Sequence, residues 1–448
     1  MSNQKNVDMV NGPMLKKILF FALPLALSSI LQLLFNAADT IVVGRFAGSH
    51  ALAAVGSNGA LINLIVNAFM GLSIGVNVVV ARYRGQGREH DINHAVHTAV
   101  LLSMVCGVFL AFLGVFISPI LLEMMSVPSD VIGLSSLYLR IYFVGMPFLM
   151  VYNFGAAILR SIGDTRRPLY YLTLSGIVNV VLNLVLVIQF NMSVAGVAIA
   201  TVISELISAV LVIRSLCHEP GALKLNLKAL HFDKHCLKEI VRIGLPAGVQ
   251  GCVFSLSNVV IQSSINSFGA TIVAANSAAV NIEGFIFVSM NAFHQSAVTF
   301  GSQNYGAKKY KRCDKALLIS IMCMFVVGTT MGLSFRYFGV ELLSLYTNDP
   351  EVIQAGLIRM DYLFIFQGIN GLMDVMVGGI RGFGYSLLPT VVSLTGVCLF
   401  RLVYIATIFA AIPTLAVLYS VYPISWALTS AVHVICYLVI RHKINKEA

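Results

Sequence analysis

The chain has 448 residues, 58% of them hydrophobic and 11% charged, with a mean hydropathy of +0.87. An ordinary soluble domain is about 25% charged, so a soluble globular protein is excluded and an integral membrane protein is expected. The net charge of +10 is accounted for below by the placement of basic residues, and no nucleic-acid partner is expected.

In chain order, loops rich in charge, Gly or Pro delimit twelve apolar segments, at about 15–43, 52–81, 95–118, 136–159, 168–190, 194–214, 239–266, 272–300, 316–338, 357–380, 388–411 and 414–440. Each suffices for about 30 Å of hydrocarbon as a helix, and none has the ten-residue alternation of a barrel strand. The expected fold class is all-α, a polytopic membrane protein with twelve transmembrane helices in two pseudo-symmetric six-helix bundles. The first run is too long for a signal-peptide core and lacks a small-residue cleavage site, so it is read as a retained span.

Basic residues fix the expected orientation. They gather at the amino terminus (Lys5, Lys16, Lys17), in loop 2/3 (Arg82, Arg84, Arg88), in loop 4/5 (Arg160, Arg166, Arg167), in loops 6/7 and 8/9, and in the tail. Loops 3/4 and 9/10 carry acids instead (Glu123, Asp130, Glu341, Asp349, Glu351). Both termini, with Gln86 and Lys309, are therefore placed on the cytoplasmic side of the plasma membrane, and Ser129 and Asn348 outside. The basic face also attracts anionic membrane lipid. The eight cysteines are scattered without a CxxC pair and read as small core residues.

At an offset of about 221 residues the second half repeats the punctuation of the first. Leu23-Pro24 meets Leu245-Pro246, Phe46-Ala47-Gly48 meets Phe268-Gly269-Ala270, Arg160-Ser161-Ile162-Gly163 meets Arg381-Gly382-Phe383-Gly384, and Pro168 meets Pro389. Six spans per half return each copy to the same side, so the repeats are parallel. The expected domains are an N-terminal bundle over 1–214, a cytoplasmic linker over 215–238, read as a basic amphipathic tether, and a C-terminal bundle over 239–448.

Carboxylates inside such spans mark ion or substrate paths, because an uncompensated charge in hydrocarbon costs several kcal/mol. Asp39, Glu205, Glu283, Asp361 and Asp374 are the candidates. Asp39 has Asn36 one turn before it, and Asn179 and Asn183 share a face by i, i+4 spacing. Asn153 and Thr201 add oxygen donors in the same half. Such a set suits Na⁺, or a carboxyl that exchanges H⁺. The matching positions of the second half are Ile261, Phe400 and Tyr404, so this cluster belongs to one copy, whereas Asn153 matches Asp374. Glu283, beside Phe285 and Phe287, is read either as part of a substrate cavity or as a hydrogen-bonding partner of a neighbouring helix. Met290 and Met373, with Asp374, are candidate cavity residues. Glu205 and Arg401 are read as structural partners between helices, and Asp361 as interfacial. Neither a phosphate-binding loop nor zinc-ligand spacing occurs, so no cofactor is expected, and no metal beyond Na⁺ at Asp39; an ion gradient is expected to supply the energy.

The run LPLALSSILQLLFNAADTIVVGRFAGSHALAAVG (Leu23 to Gly56) resembles the first-span signature of multidrug and toxin extrusion (MATE) transporters. So do ILRSIGDTRRP, NVVLN, GVAIAT and FGSQNYGAKKYKR, in that order along the chain. The resemblance implies a Na⁺- or H⁺-coupled antiporter that exports amphipathic, often cationic drugs and toxins by alternating access, and not an enzyme. It implies Asp39 as the coupling carboxylate, with Asn179, Asn183 and Thr201 around it and Asn153 as a looser match. Some members carry Asp where this chain has Asn183, which leaves Asp39 the only acid expected in the cluster. Acids of the NorM-like branch in spans 7 and 10 fall near Phe254 and Asn370 here, and a bacterial DinF-like branch is favoured. A monomer is expected. The alternative is a lipid-linked precursor flippase of the same superfamily, which would need several basic residues in its cavity, whereas Arg401 is essentially the only basic residue expected within the spans.

Overall fold

The computed structural model describes residues 7–125 and 130–447, and the chain is predominantly helical in this part, with no strand among the described residues. Ser129 lies outside them. Three long helices open the chain: α1 (Met14–Phe46), α2 (Ser49–Gln86) and α3 (Glu89–Met124). Next, α4 (Ile132–Val144) and α5 (Met146–Ser161) form one span bent by 47°. Helix α6 (Arg166–Leu184) runs on into a π-helical turn, Val185–Gln189, and α7 (Ser193–Cys217) closes the half. The second half repeats the series with α8 (Lys234–Asn266), α9 (Ala270–Gly306), α10 (Tyr310–Tyr337) and a short α11 (Gly339–Ser344). There α12 (Pro350–Leu363) and α13 (Gln367–Gly382) are bent by 49°, and α14 (Leu387–Ser393) and α15 (Phe400–Tyr404) alternate with π segments in one run, before α16 (Leu415–Glu447). Among the described residues ten helices are long and apolar enough to cross a membrane, and the two bent pairs, each taken as one span, bring the number to twelve, consistent with two six-helix bundles.

The bends fall inside the spans expected at 136–159 and 357–380. At the first, Pro147 stands at the start of α5, where it supplies no amide hydrogen to continue the ladder, and Gly107 admits the Pro147 backbone so closely that a Cβ there would lie 2.4 Å from its Cα. At the second the sequence has no proline, but Gly332 lets the Phe364 carbonyl approach to where a Cβ would stand 2.1 Å away.

The duplication is visible in the backbone. Gly48 and Gly269, at the offset of 221, precede α2 and α9 with φ of 90° and 92°, and Gly163 and Gly384 have 90° and 87°. Only glycine adopts that region without strain. Pro24 and Pro246 both lie inside the first long helix of their halves.

Two compact units result, one over Leu27–Gly248 and the other combining Asp8–Ala26 with Val249–Ala448. The chain thus changes unit inside α1 and α8, next to the paired prolines. In the second unit Phe21 of α1 packs edge-on against Phe300 at 5.6 Å. In the first, α2 and α8 meet backbone to backbone. Gly71 and Gly75 face Gly244 and Gly248, and a Cβ on Gly71 would fall 2.1 Å from the Gly248 amide nitrogen. Small residues spaced by four permit this contact, which is how apolar helices associate where no hydrophobic drive exists.

The connecting segment between α7 and α8, residues 218–233, makes two 3₁₀ turns, Gly221–Leu223 and Leu227–Ala229, joined by irregular chain. It is fastened to the start of α3. The Asn226 amide donates to His97 Nε2 at 3.1 Å, Asn93 Nδ2 donates to the Ala222 carbonyl at 3.1 Å, and the Asp233 amide donates to Thr98 Oγ1 at 2.9 Å. Asp233 then accepts the Cys236 amide at 2.7 Å to cap α8, and that bond holds its carboxyl below the usual range.

Alanine at Gly71 or Gly244 is expected to force α2 and α8 apart at a cost of about 1–3 kcal/mol, read as a lowered Tm in detergent. Alanine at Gly56, with nothing within 4 Å of a built Cβ, should be neutral or stabilising; equal losses at the three sites would refute the glycine contact.

Candidate functional site

Helix α1 delivers Asp39, α6 delivers Asn179 and Asn183 on one face, and α7 delivers Thr201. Asn183 Nδ2 donates to Asp39 Oδ1 and, at 3.2 Å, to Asn179 Oδ1. Asn179 Nδ2 donates in turn to Thr201 Oγ1 at 3.5 Å, and Thr201 Oγ1 donates to the Val197 carbonyl at 3.0 Å. The chain of bonds leaves one group over: Asn183 Oδ1 is enclosed by protein and has no hydrogen-bond partner among the described residues. A buried acceptor without a donor, next to a carboxylate, is what an oxygen-ligated cation would satisfy.

Asn36, Asp39, Asn179 and Thr201 line one cavity of about 100 Å³. Phe35 forms part of its wall, packed over Gly176, where a Cβ would meet the ring at 1.9 Å. Asn153 does not join them. Its Nδ2 donates back to the Leu149 carbonyl at 2.8 Å, one turn earlier on its own helix.

Glu205 does line the cavity, which corrects the expectation that Asp39 would be its only acid. It stands four residues after Thr201 on α7, so the i, i+4 spacing that linked Asn179 to Asn183 also marked it. Two carboxylates and no basic side chain line this space.

In the second half the polar groups are paired. Glu283 accepts from Arg359 at 2.6 Å and from Gln367 Nε2 at 2.8 Å, and Arg359 also donates to Asn276 Oδ1 at 2.7 Å. Asp374 is 3.2 Å from His294 Nδ1, and its own carbonyl accepts from that nitrogen at 2.8 Å. Met290 is buried with its sulfur over Gly328, and Met373 is buried too. Asp361 pairs with Arg336 at 2.5 Å.

The expectation that Arg401 is the lone basic residue within the spans is overturned. Arg359, Arg381 and Arg401 are all buried, at 4–5% exposure. Arg381 donates to Gln250 Oε1 at 2.7 Å, while Arg401 donates through Nε to Ser425 Oγ at 3.0 Å and lies 4.4 Å from the Tyr422 ring centroid.

Comparison with known proteins agrees with this architecture. The MatE family model matches residues 24–185 and again 246–407, once in each half. A probable multidrug resistance protein of Bacillus subtilis, YoeA, is 27% identical over 382 residues, covering 84% of this chain and 82% of its own. An FAD transporter of Shewanella oneidensis is 28% identical over 356 residues, 77% of each chain. Among solved structures, a Pyrococcus furiosus transporter of the MOP superfamily, described as having a binding pocket of reverse polarity, superposes with a TM-score of 0.91 at 21% identity, covering 99% of both chains.

Removing one member of a buried ion pair strands the other charge, at a cost of about 3–5 kcal/mol. Glu283→Gln and Arg359→Gln should each destabilise the protein by that order, and the double variant should recover much of the loss. Strict additivity in thermal unfolding would show that the two do not act as a pair.

Proposed function

The chain belongs to the MatE family of membrane transporters, and from that premise we propose that it is a Na⁺- or H⁺-coupled antiporter that exports amphipathic drugs and toxins, cationic ones among them. The single observation that carries the coupling role is the unpartnered Asn183 Oδ1 beside the Asp39 carboxylate. Asp39 supplies the charge or the titratable proton. Asn183, Asn179 and Thr201 supply neutral oxygens, Asn36 lines the approach, and Glu205 adds a second carboxyl group to the same cavity. Na⁺ takes hard oxygen ligands, and a proton needs only the carboxylate, so the donor set serves either ion. The protein works in the cytoplasmic membrane as a monomer with both termini inside, in keeping with the distribution of Lys and Arg.

Vesicles holding the protein should extrude ethidium when an inward Na⁺ or H⁺ gradient is imposed, and exchanging the gradients identifies the ion. Lipid translocation without ethidium efflux would select the flippase instead. Asp39→Asn keeps shape but removes charge and proton, and the loss of a charge-assisted ligand, about 1.5–3 kcal/mol, weakens ion affinity by roughly one to two decades. Gradient-driven efflux should collapse, and under Na⁺ coupling so should any rise of Tm with Na⁺. Asn183→Ala and Glu205→Gln should cost less, because the Asp39 carboxylate stays. Undiminished efflux by Asp39→Asn under both gradients would refute the assignment.

Orientation has its own test. A single cysteine at Asn348 should react with an impermeant reagent added outside intact cells, whereas one at Lys309 should react only after permeabilisation; the reverse result inverts the topology.

A further inference from the structure

The second half holds a charge that its own side chains leave unanswered. Glu283 lies 13 residues into α9 from Ala270, about 20 Å along the helix, and its carboxylate is committed to Arg359 and Gln367. Arg359 and Arg401 lie 5.8 and 4.4 Å from the same Tyr422 ring centroid, so both guanidinium groups share one cluster with that single carboxylate. Arg401 sits inside the Leu387–Phe409 span, 5% exposed. Beyond Ser425 and the Tyr422 ring, its terminal nitrogens have no hydrogen-bond partner among the described residues. Unlike Arg359 Nε, they are not among the unpartnered atoms sealed inside protein.

An uncompensated guanidinium at that depth is costly, and its planar fork of donors fits a carboxylate, sulfonate or phosphate. The neighbours are aromatic: Tyr419 lies 5.8 Å from the Arg359 guanidinium, and Trp426 meets Tyr422 edge-on at 5.8 Å. Aromatic faces beside a cationic anchor suit a planar ring system.

We propose that Arg401, set against Glu283 and Arg359, seats the anionic group of a planar aromatic cargo, with Tyr419, Tyr422 and Trp426 beside its rings. This specifies cargo for the transporter reading above and rests on it. It asks nothing of Asp39, and it is tested by equilibrium binding without a gradient, so its failure and the failure of ion coupling are separable.

Trp426 is the only tryptophan of the chain and reports on the cluster from within. In nanodiscs of phosphatidylcholine, riboflavin 5′-phosphate should quench its fluorescence, with Trp426→Phe as the background. Riboflavin, the same ring system without the anion, should bind at least tenfold more weakly, and ethidium should not compete. Arg401→Gln should weaken riboflavin 5′-phosphate by about 10–100-fold, the range of one charge-assisted contact, and leave riboflavin unchanged. Arg401→Lys should restore part of the difference. Equal affinity of the parent for riboflavin and its phosphate would overturn the proposal, and this comparison needs no variant to fold. So would unchanged phosphate affinity in Arg401→Gln, or abolition of binding by phosphatidylglycerol in the nanodisc, which would make a lipid headgroup the resident anion.

Discussion

Hydrocarbon supplies no partner for a polar group, and every charged side chain held at depth must find its complement within the protein. That constraint orders the interior of both halves. Asp39 is met by Asn183, which leans on Asn179 and through it on Thr201. Glu283 is met by Arg359 and Gln367, and Asp374 by His294. Among the groups that these pairings leave without a partner among the described residues, two have opposite preferences. Asn183 Oδ1 is an acceptor that lacks a donor, and the Arg401 terminus is a donor that lacks an acceptor. The points where the protein fails to complete itself are the points at which a small ion or molecule can do so.

The repeat explains how one chain acquired both. Duplication preserved what the backbone needs: glycines with φ near 90° before α2 and α9, a proline inside α1 and α8, and a π-helical turn at 185–189 matched by one at 405–409. These positions answer to geometry, and a side chain at either glycine would be strained. The lining residues answer only to charge balance inside their own half, so they were free to diverge. Where the first copy has Asn179 and Asn183 the second has Phe400 and Tyr404, with Arg401 beside them.

Much of this was legible in the sequence. Span number followed from hydropathy, the repeat from matched punctuation, and the Asn179–Asn183 face from i, i+4 spacing, because each rests on local order. Contacts between distant residues were not legible. Arg359 stands close to the start of an apolar run and reads as a flank until α9 is seen to bring Glu283 to it across 76 residues. Asn153 looked equivalent to its neighbours by composition, yet it turned back to its own helix. The break before α5 had its proline in plain view, whereas the break before α13 depends on Gly332 of another helix admitting a carbonyl.

Opposite polarities in separate helices also bear on mechanism. Where ion and cargo are both cations they can compete for one carboxylate, and displacement alone couples them. An anionic cargo at Arg401, as proposed, would not displace a cation proposed at Asp39, because neither seat has chemistry for the other's ligand. Exchange then requires that each ligand favour a different member of a pair of conformations, since a ligand shifts such an equilibrium only by its differential affinity for the two states. Within each half the material for a two-state element is present. Helices α1 and α8 carry a proline in mid-course, and the last long runs before α7 and α16 contain π turns, whose ladders are already one bond out of register. A helix interrupted in this way changes its bend at lower cost than one with an unbroken ladder. Asp39 lies on one of these helices and Arg401 in the π-interrupted run Leu387–Phe409, so under the two proposals each ligand would bind on an element with an interrupted ladder.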